Sequence, residues 1–257
     1  MVMARFDLSE KEWEIIAPLL PNKPRGVPRT DDRRVLNGIF YILRTGSPWR
    51  DLPERYGPYT TAYNRFNRWA KAGVWLNIFE ALAAQSPQSL QFIDSSIIRA
   101  HQHAAGGKKG GADNAIGRSR GGLSTKIHAI VDECGLPVKL LLTPGQASDK
   151  AAAPAMLEGL PTAQAFVGDR GYDWQALVDL VKSKGGCAHI PTQRDRKVQR
   201  SVDHGLYRKR NLVERFFNKL KHFRRVATRF DKSARNFLAA VMLASTRLWM
   251  RTYESRT

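Results

Sequence analysis

Residues 207–221 read YRKRNLVERFFNKLK. Wound on a helix at 100° per residue, Tyr207, Arg210, Glu214 and Lys221 fall within one arc roughly 60° wide. Leu212, Val213, Phe216, Leu220 and Phe223 fall on the opposite side. One face sets a lone carboxylate among cations and a tyrosine, and the other offers an apolar stripe to a core. Taken alone, this is also the pattern of a surface amphipathic helix with an i,i+4 pair between Arg210 and Glu214. Two isolated aspartates upstream carry the reading further.

The first, Asp94, lies inside LQFIDSSII, a short apolar and β-branched run that reads as a buried strand. The second, Asp169, ends the apolar strand of AQAFVGDRGYD. Between them, STKIHAIVDECGLPVKLLLTPG predicts a hairpin, with strands at 126–131 and 137–142 and a turn at 132–135. A helix begins at Asp149, another covers WQALVDLVKSKG, CAHIP is a short strand, and a last helix runs over 233–249. Residues 104–122 are Gly-rich and basic and read as a mobile loop, and 192–206 carry no assignable pattern. Strands that alternate with helices late in the chain imply parallel pairing beside an antiparallel hairpin, hence a mixed α/β sheet.

Residues 1–85 have a different texture. Ser9 and Glu12 form a capping box for a helix through Leu20. A second helix starts near Asp31 and stops at Gly46. The loop SPWRDLPERYGPY follows, then helices over TTAYNRFNRWAKAG, from Thr60 or Thr61, and VWLNIFEALAAQ. The third of these carries Tyr63, Arg65, Asn67, Arg68 and Lys71, which suits a helix-turn-helix-like DNA reader as well as it suits a bundle with a basic face.

The chain has 257 residues, 42% hydrophobic, with a formal charge of +19. That excess implies a polyanionic partner. No run of 18 apolar residues offers a membrane span, and the N-terminus lacks the apolar core of a signal peptide, so a cytoplasmic protein acting on nucleic acid is expected. Two cysteines, Cys134 and Cys187, give neither a disulfide framework nor a zinc site.

If the strands carrying Asp94 and Asp169 are neighbours, their carboxylates converge, and Glu214 completes a group of three. Converging carboxylates raise one another's pKa unless a cation intervenes. A hard divalent ion such as Mg²⁺ meets that need, and two such ions can drive phosphoryl transfer. Asp132, Asp149 and Asp173 read as ordinary cap or turn residues, and His101 and His128 as structural.

On FIDSSIIRAH (92–101), VGDRGYD (167–173) and Tyr207-x2-Arg210-x3-Glu214-x6-Lys221, the chain resembles the DDE insertion-sequence transposases of the insertion-sequence-five family. GSPWRDLPERYGPYTTAYNRFNRWAKAGVW (46–75) is similar to that family's N-terminal region. The resemblance implies a ribonuclease-H-like catalytic domain over 88–257, preceded by an all-α, helix-turn-helix-like DNA-binding region over 1–85. It implies Asp94, Asp169 and Glu214 as catalytic, metal-binding acids with two Mg²⁺ or Mn²⁺ ions. Tyr207, Arg210 and Lys221 would handle DNA, with Arg170, Arg65, Arg68 and Lys71 as further contacts and end recognition in about 31–72. The partners implied are double-stranded DNA, as element ends and target, and further copies of the chain in a dimer or higher assembly. No membrane or small-molecule substrate is expected, and the bacterial cytosol beside the nucleoid is the expected place. Only 44 residues separate Asp169 from Glu214, which leaves no room for the long β-rich insertion of some relatives. A non-catalytic DNA-binding regulator and a structure-selective nuclease on the same core are the competing readings.

Overall fold

The computed structural model describes residues 4–22, 30–87, 89–105, 114–161 and 163–255. Its centre is β1 (Leu90–Ala100), the long apolar run that carries Asp94. β3 (Gly122–Asp132) pairs antiparallel with it, and β4 (Pro137–Pro144) pairs antiparallel with β3. On the other side of β1, β5 (Ala165–Val167) and then β6 (Cys187–His189) are parallel. The order β4-β3-β1-β5-β6 is thus an antiparallel half joined to a parallel half at β1. β2 (Gly117–Ser119) prolongs the β4 edge, and β7 (Thr228–Arg229) pairs with the far end of β1. This is the expected ribonuclease-H-like mixed sheet.

The pairing leaves an opening. β5 covers β1 only from Leu90 to Phe92, and β7 only from Arg99 to Ala100. The stretch between them has no strand partner on that side among the described residues, and Asp94 lies in it.

Helices α6 (Asp149–Leu157) and α7 (Gln175–Ser183) pack beside the sheet, and α9 (Asn211–Lys221) lies against β1 and β3. Before β1 come α1 (Glu10–Ile16), α2 (Asp32–Thr45), α3 (Tyr59–Lys71) and α4 (Val74–Ala83). Short helices α5 (Gln102–Ala105), α8 (His204–Arg208) and α10 (Arg224–Ala227) connect the larger elements. The last helix, α11 (Ala234–Glu254), runs five residues past the expected Trp249. It packs against α4, α1 and β4 together, so the N-terminal helices and the sheet share one continuous apolar core.

Two expectations are corrected. Residues 207–221 are not one helix. Asp203 caps α8, accepting from the Gly205 and Leu206 amides, and the chain tightens at Lys209 and Arg210 into i→i−3 hydrogen bonds before α9 starts at Asn211. Tyr207 therefore stands on a separate helix from Glu214. The Gly-rich 104–122 segment is not all loop, because 117–119 zip onto β3 as β2; its residues 106–113 lie outside the described residues. The unassigned 192–206 segment is held by buried Asp173, which accepts from the Gln193 amide and pairs with Arg196 and Arg200.

Glu12 does more than close its capping box. It accepts from the Ser9 amide and, fully buried, forms a double hydrogen bond to Arg247 of α11 at 2.7 and 3.0 Å. Arg247 also donates to the carbonyls of Phe6 and Asp7, although burial holds its pKa below the ordinary arginine value. Removing one partner strands a buried charge. Glu12→Ala should cost about 3–5 kcal/mol in urea unfolding, and a loss below about 1 kcal/mol would show the pair to be dispensable.

Candidate active site

Asp94 sits on β1, where side chains alternate between the two faces of the sheet. The parallel register pairs Phe92 with Val167. Carried two residues on, it brings Asp169 level with Asp94, as the sequence requires of neighbouring strands. Asp169 opens the turn after β5, and its Oδ1 accepts from the Gly171 amide at 2.8 Å. A Cβ on Gly171 would lie 2.9 Å from that oxygen, so a larger residue there would displace the Asp169 carboxylate. Glu214 projects from the first turn of α9 and is half-exposed.

One guanidinium joins two of these groups. Arg210 donates to Asp94 Oδ2 at 2.9 Å and to Glu214 Oε1 at 2.5 Å. Burial works against the Arg210 charge, but Asp94, Glu214, Tyr207 and Asp169 together keep its pKa above the ordinary value. The Asp94 carboxyl is pushed up, first by burial and then by the like charges of Asp169 and Glu214. The Ser95 amide, donating at 2.7 Å, and Arg210 oppose the rise.

The donors are all carboxylate oxygens, the set a hard divalent cation takes. Their mutual repulsion, visible at Asp94, is what such a cation relieves. As the side chains stand, with Arg210 between Asp94 and Glu214, no three His, Cys, Asp or Glu groups among the described residues gather closely enough to hold a metal. The residues therefore fit the group in chemistry, and Arg210 now supplies the positive charge.

The opposite face of β1 carries a second polar cluster that the sequence reading missed. Ser95 Oγ donates to Asp149 Oδ1 at 2.7 Å. Lys126 Nζ lies 2.9 Å from the same oxygen and donates to the Ala147 carbonyl at 2.6 Å. His128, wholly buried, meets Thr143 Oγ1 through Nε2 at 2.8 Å, with Nδ1 3.9 Å from Asp149. Tyr172 is buried nearby, its phenol pKa raised by burial and by Asp149, Asp94 and Asp169. The available signal was the two-residue spacing of Lys126 and His128 in an apolar strand, which puts both on one face. Asp149 begins α6 as expected, but it is the hub of this cluster as well as a helix-start residue.

The expected DNA contacts divide. Arg170, beside Asp169, and Lys221, at the end of α9, are exposed; Tyr207 packs partly buried on the core. Arg68 and Lys71 lie exposed on α3. Arg65 is corrected: it is buried, bonded to Asp32 of α2, and lies over the Trp69 ring at 5.0 Å. The helical period turns it inward, so it braces α3 on α2 and cannot meet a phosphate. Asn67 likewise faces in and accepts from Asn236.

Comparison with known proteins agrees with these features. Residues 8–79 match the family described as "Putative transposase of IS4/5 family", and residues 85–249 match the family described as "Transposase DDE domain". The chain is 36% identical over 130 residues to a Brucella ovis protein named "Putative transposase for insertion sequence element IS6501", covering 50% of this chain and 100% of that one. An uncharacterized Sinorhizobium fredii protein, y4sN, is 41% identical over 104 residues, covering 40% of this chain and 83% of that one. In fold, the chain is similar to a piggyBac transposase solved in a synaptic complex with hairpin DNA. That likeness has a TM-score of 0.51 at 9% identity and covers 97% of this chain and 72% of that one.

His128 gives a pH test of the buried cluster. Burial pulls its pKa down to about 4 from the usual 6.5. Between those values the unfolded chain binds a proton that the folded chain refuses, so stability falls as pH drops from 6.5 to 4. The loss from this residue by pH 4.5 is about 2–3 kcal/mol. Chemical denaturation at pH 7 and 4.5 should show His128→Gln losing less stability than wild type. An equal loss in both would remove His128 as the source.

Proposed function

The chain belongs to the DDE transposases, and from that premise we propose that Asp94, Asp169 and Glu214 are its catalytic carboxylates, acting on the terminal inverted repeats of an insertion sequence. The observation that carries this reading is the approach of three acids from β1, β5 and α9 to one opening in the sheet. Proteins of this family depend on divalent metal. In our reading two Mg²⁺ or Mn²⁺ ions, held by these acids, supply activation of the attacking oxygen and neutralisation of the leaving one.

The chain's own residues supply the rest. Asp94 lies on β1 and Asp169 in the turn just after its parallel neighbour β5, so the strand pairing sets their spacing. Glu214 comes from a helix whose apolar stripe, Val213, Phe216 and Leu220, is buried. Arg210 stabilises the gathered charge and is placed to meet phosphate, for which its planar fork is suited. Arg170, Tyr207 and Lys221 flank the acids and orient the strand for in-line attack, first by water and then by the freed 3′-hydroxyl. We assign end recognition to residues 1–85, with Arg68 and Lys71 on its exposed face, and catalysis to 88–257. Two DNA ends imply at least a dimer on DNA, and such a substrate places the protein in the cytosol. No described helix is long and apolar enough to cross a membrane.

Cleavage of duplexes bearing the element's ends, with Mg²⁺ or Mn²⁺, tests the acids. Asp169→Asn should bind DNA as wild type does and lose cleavage at least about 10²-fold, the scale for removing one preorganised electrostatic group. Retained cleavage would sink the assignment, and a wild type that binds ends but never cuts would make the protein a DNA-binding regulator. Lys221→Ala should lower the slope of log affinity against log salt by about 0.9, one phosphate contact. An unchanged slope would take Lys221 out of the interface.

A further inference from the structure

A cavity of about 490 Å³ lies between the N-terminal segment, the end of α2 and the joint of α9 with α10. Arg5, Arg44, Lys221 and Arg224 line it, with His222 and Thr45. No acidic side chain lines it, and among the described residues none of the four cations pairs with a carboxylate. Elsewhere three inward-facing arginines are paired with carboxylates, Arg65 with Asp32, Arg225 with Asp231 and Arg247 with Glu12, while buried Arg229 is held by carbonyls and the Thr125 hydroxyl.

Local causes account for single positions. Arg44 and Lys221 occupy the last turns of α2 and α9, where exposed carbonyls favour a cation. They do not account for four cations around one space. Arg44 is also held in place, its guanidinium 5.4 Å above the Phe223 ring. Burial and the charges of Arg251, Arg5 and Arg224 hold its pKa below the ordinary value, so the crowding is felt. The walls are tight as well. Gly46 ends α2 in the left-handed region at φ 75°, and a Cβ there would stand 3.0 Å from Arg224 Cβ. α10 therefore sits directly on the end of α2, and the two halves of the chain build the cavity together.

Its position relative to the acids follows from α9. Glu214 and Lys221 are seven residues apart, so they share a face within about 20° and stand about 10 Å apart along the axis. The cleft therefore lies within a few phosphates of the acids.

We propose that this cleft is a phosphate-binding site for the backbone of duplex DNA, beside the carboxylates and formed jointly by the N-terminal helices and the catalytic core. Its place next to a cleaved phosphate rests on the catalytic reading of Glu214; the binding of backbone phosphate does not. Arg44 and Arg224 are the new contacts, and they extend the line of cations that Lys221 begins.

The test uses the full chain in an Asp169→Asn background, so that cutting does not interfere. Anisotropy titrations with labelled end duplexes over about 50–200 mM salt give the slope of log affinity. Arg224→Gln, at an exposed position, should lower the slope by about 0.9 with unchanged thermal unfolding, and Arg44→Gln should do likewise. Arg44→Lys keeps the charge and should recover most of the slope, which separates a phosphate contact from a packing defect. Single methylphosphonates scanned through the duplex should include a position that weakens the parent chain but leaves the Arg44→Gln, Arg224→Gln double variant unaffected. Unchanged slopes in both glutamine variants overturn the proposal even if the wild type cleaves normally. Reduced slopes in a protein that never cleaves would leave the cleft standing and discard the catalytic reading instead.

Discussion

The site depends on the hold of Arg210 on Asp94 and Glu214. Asp94 is partly buried, and burial alone lifts its pKa; two further acids beside it lift it more. Without a cation the cheapest response would be protonation, and a protonated Asp94 offers no full charge to a metal. The Ser95 amide and Arg210 oppose this, Arg210 from the first residue before α9, where its backbone is already helical but its side chain reaches the sheet. The break between α8 and α9 is what puts it there. An uninterrupted helix would have carried Tyr207 along the same face as Glu214. The tightened turn instead hands Tyr207 to a separate helix and leaves Arg210 to bridge.

A bridge across an opening needs fixed banks. β1 is one, gripped by β3 along its length and by β5 and β7 at its ends. α9 is the other, pinned by its apolar stripe and by α10 and α11. α11 in turn is tied to the N-terminus through the buried Arg247–Glu12 pair and to β4 through Trp249, whose indole donates to the Pro137 carbonyl at 2.9 Å. The N-terminal helices thus share the core that holds the acids. That union is a property of packing rather than of any linker.

Much of this was readable in the sequence because it follows from period and local chemistry. The order of strands and helices, the hairpin turn at Asp132 and the mixed sheet came from apolar runs and turn residues. The turn is as read: Asp132 accepts from the Cys134 and Leu136 amides. The pairing of 117–119 with β3 was hidden because glycine and arginine carry no strand signal, and backbone pairing alone decides it. Arg65 was misread because helical spacing tells which residues share a face but not which face turns inward. Trp69, four residues on, is buried on that side and was the available hint. The break at Lys209 was hidden because Tyr207, Arg208, Lys209 and Arg210 carry no helix-breaking signal; the available hints were Asn211, a weak helix former, and Asp203, a good N-cap lying just before the stretch.

The two faces of β1 explain why the strand needs both Asp94 and Ser95. Asp94 faces α9 and takes part in the charged group. Ser95, one residue on, faces α6 and donates to Asp149, which Lys126 also holds. A carboxylate at the edge of an opening gains nothing from exact chemistry if its strand can slide. Among the described residues β1 has no strand neighbour on its β5 side between Phe92 and Arg99, so its backbone there lacks half the ladder that would fix it. The Ser95–Asp149–Lys126 cluster ties the strand to α6 and to β3 at that unsupported level. Asp149, read as a cap, together with Lys126 and Ser95 holds the middle of the strand that presents the first acid.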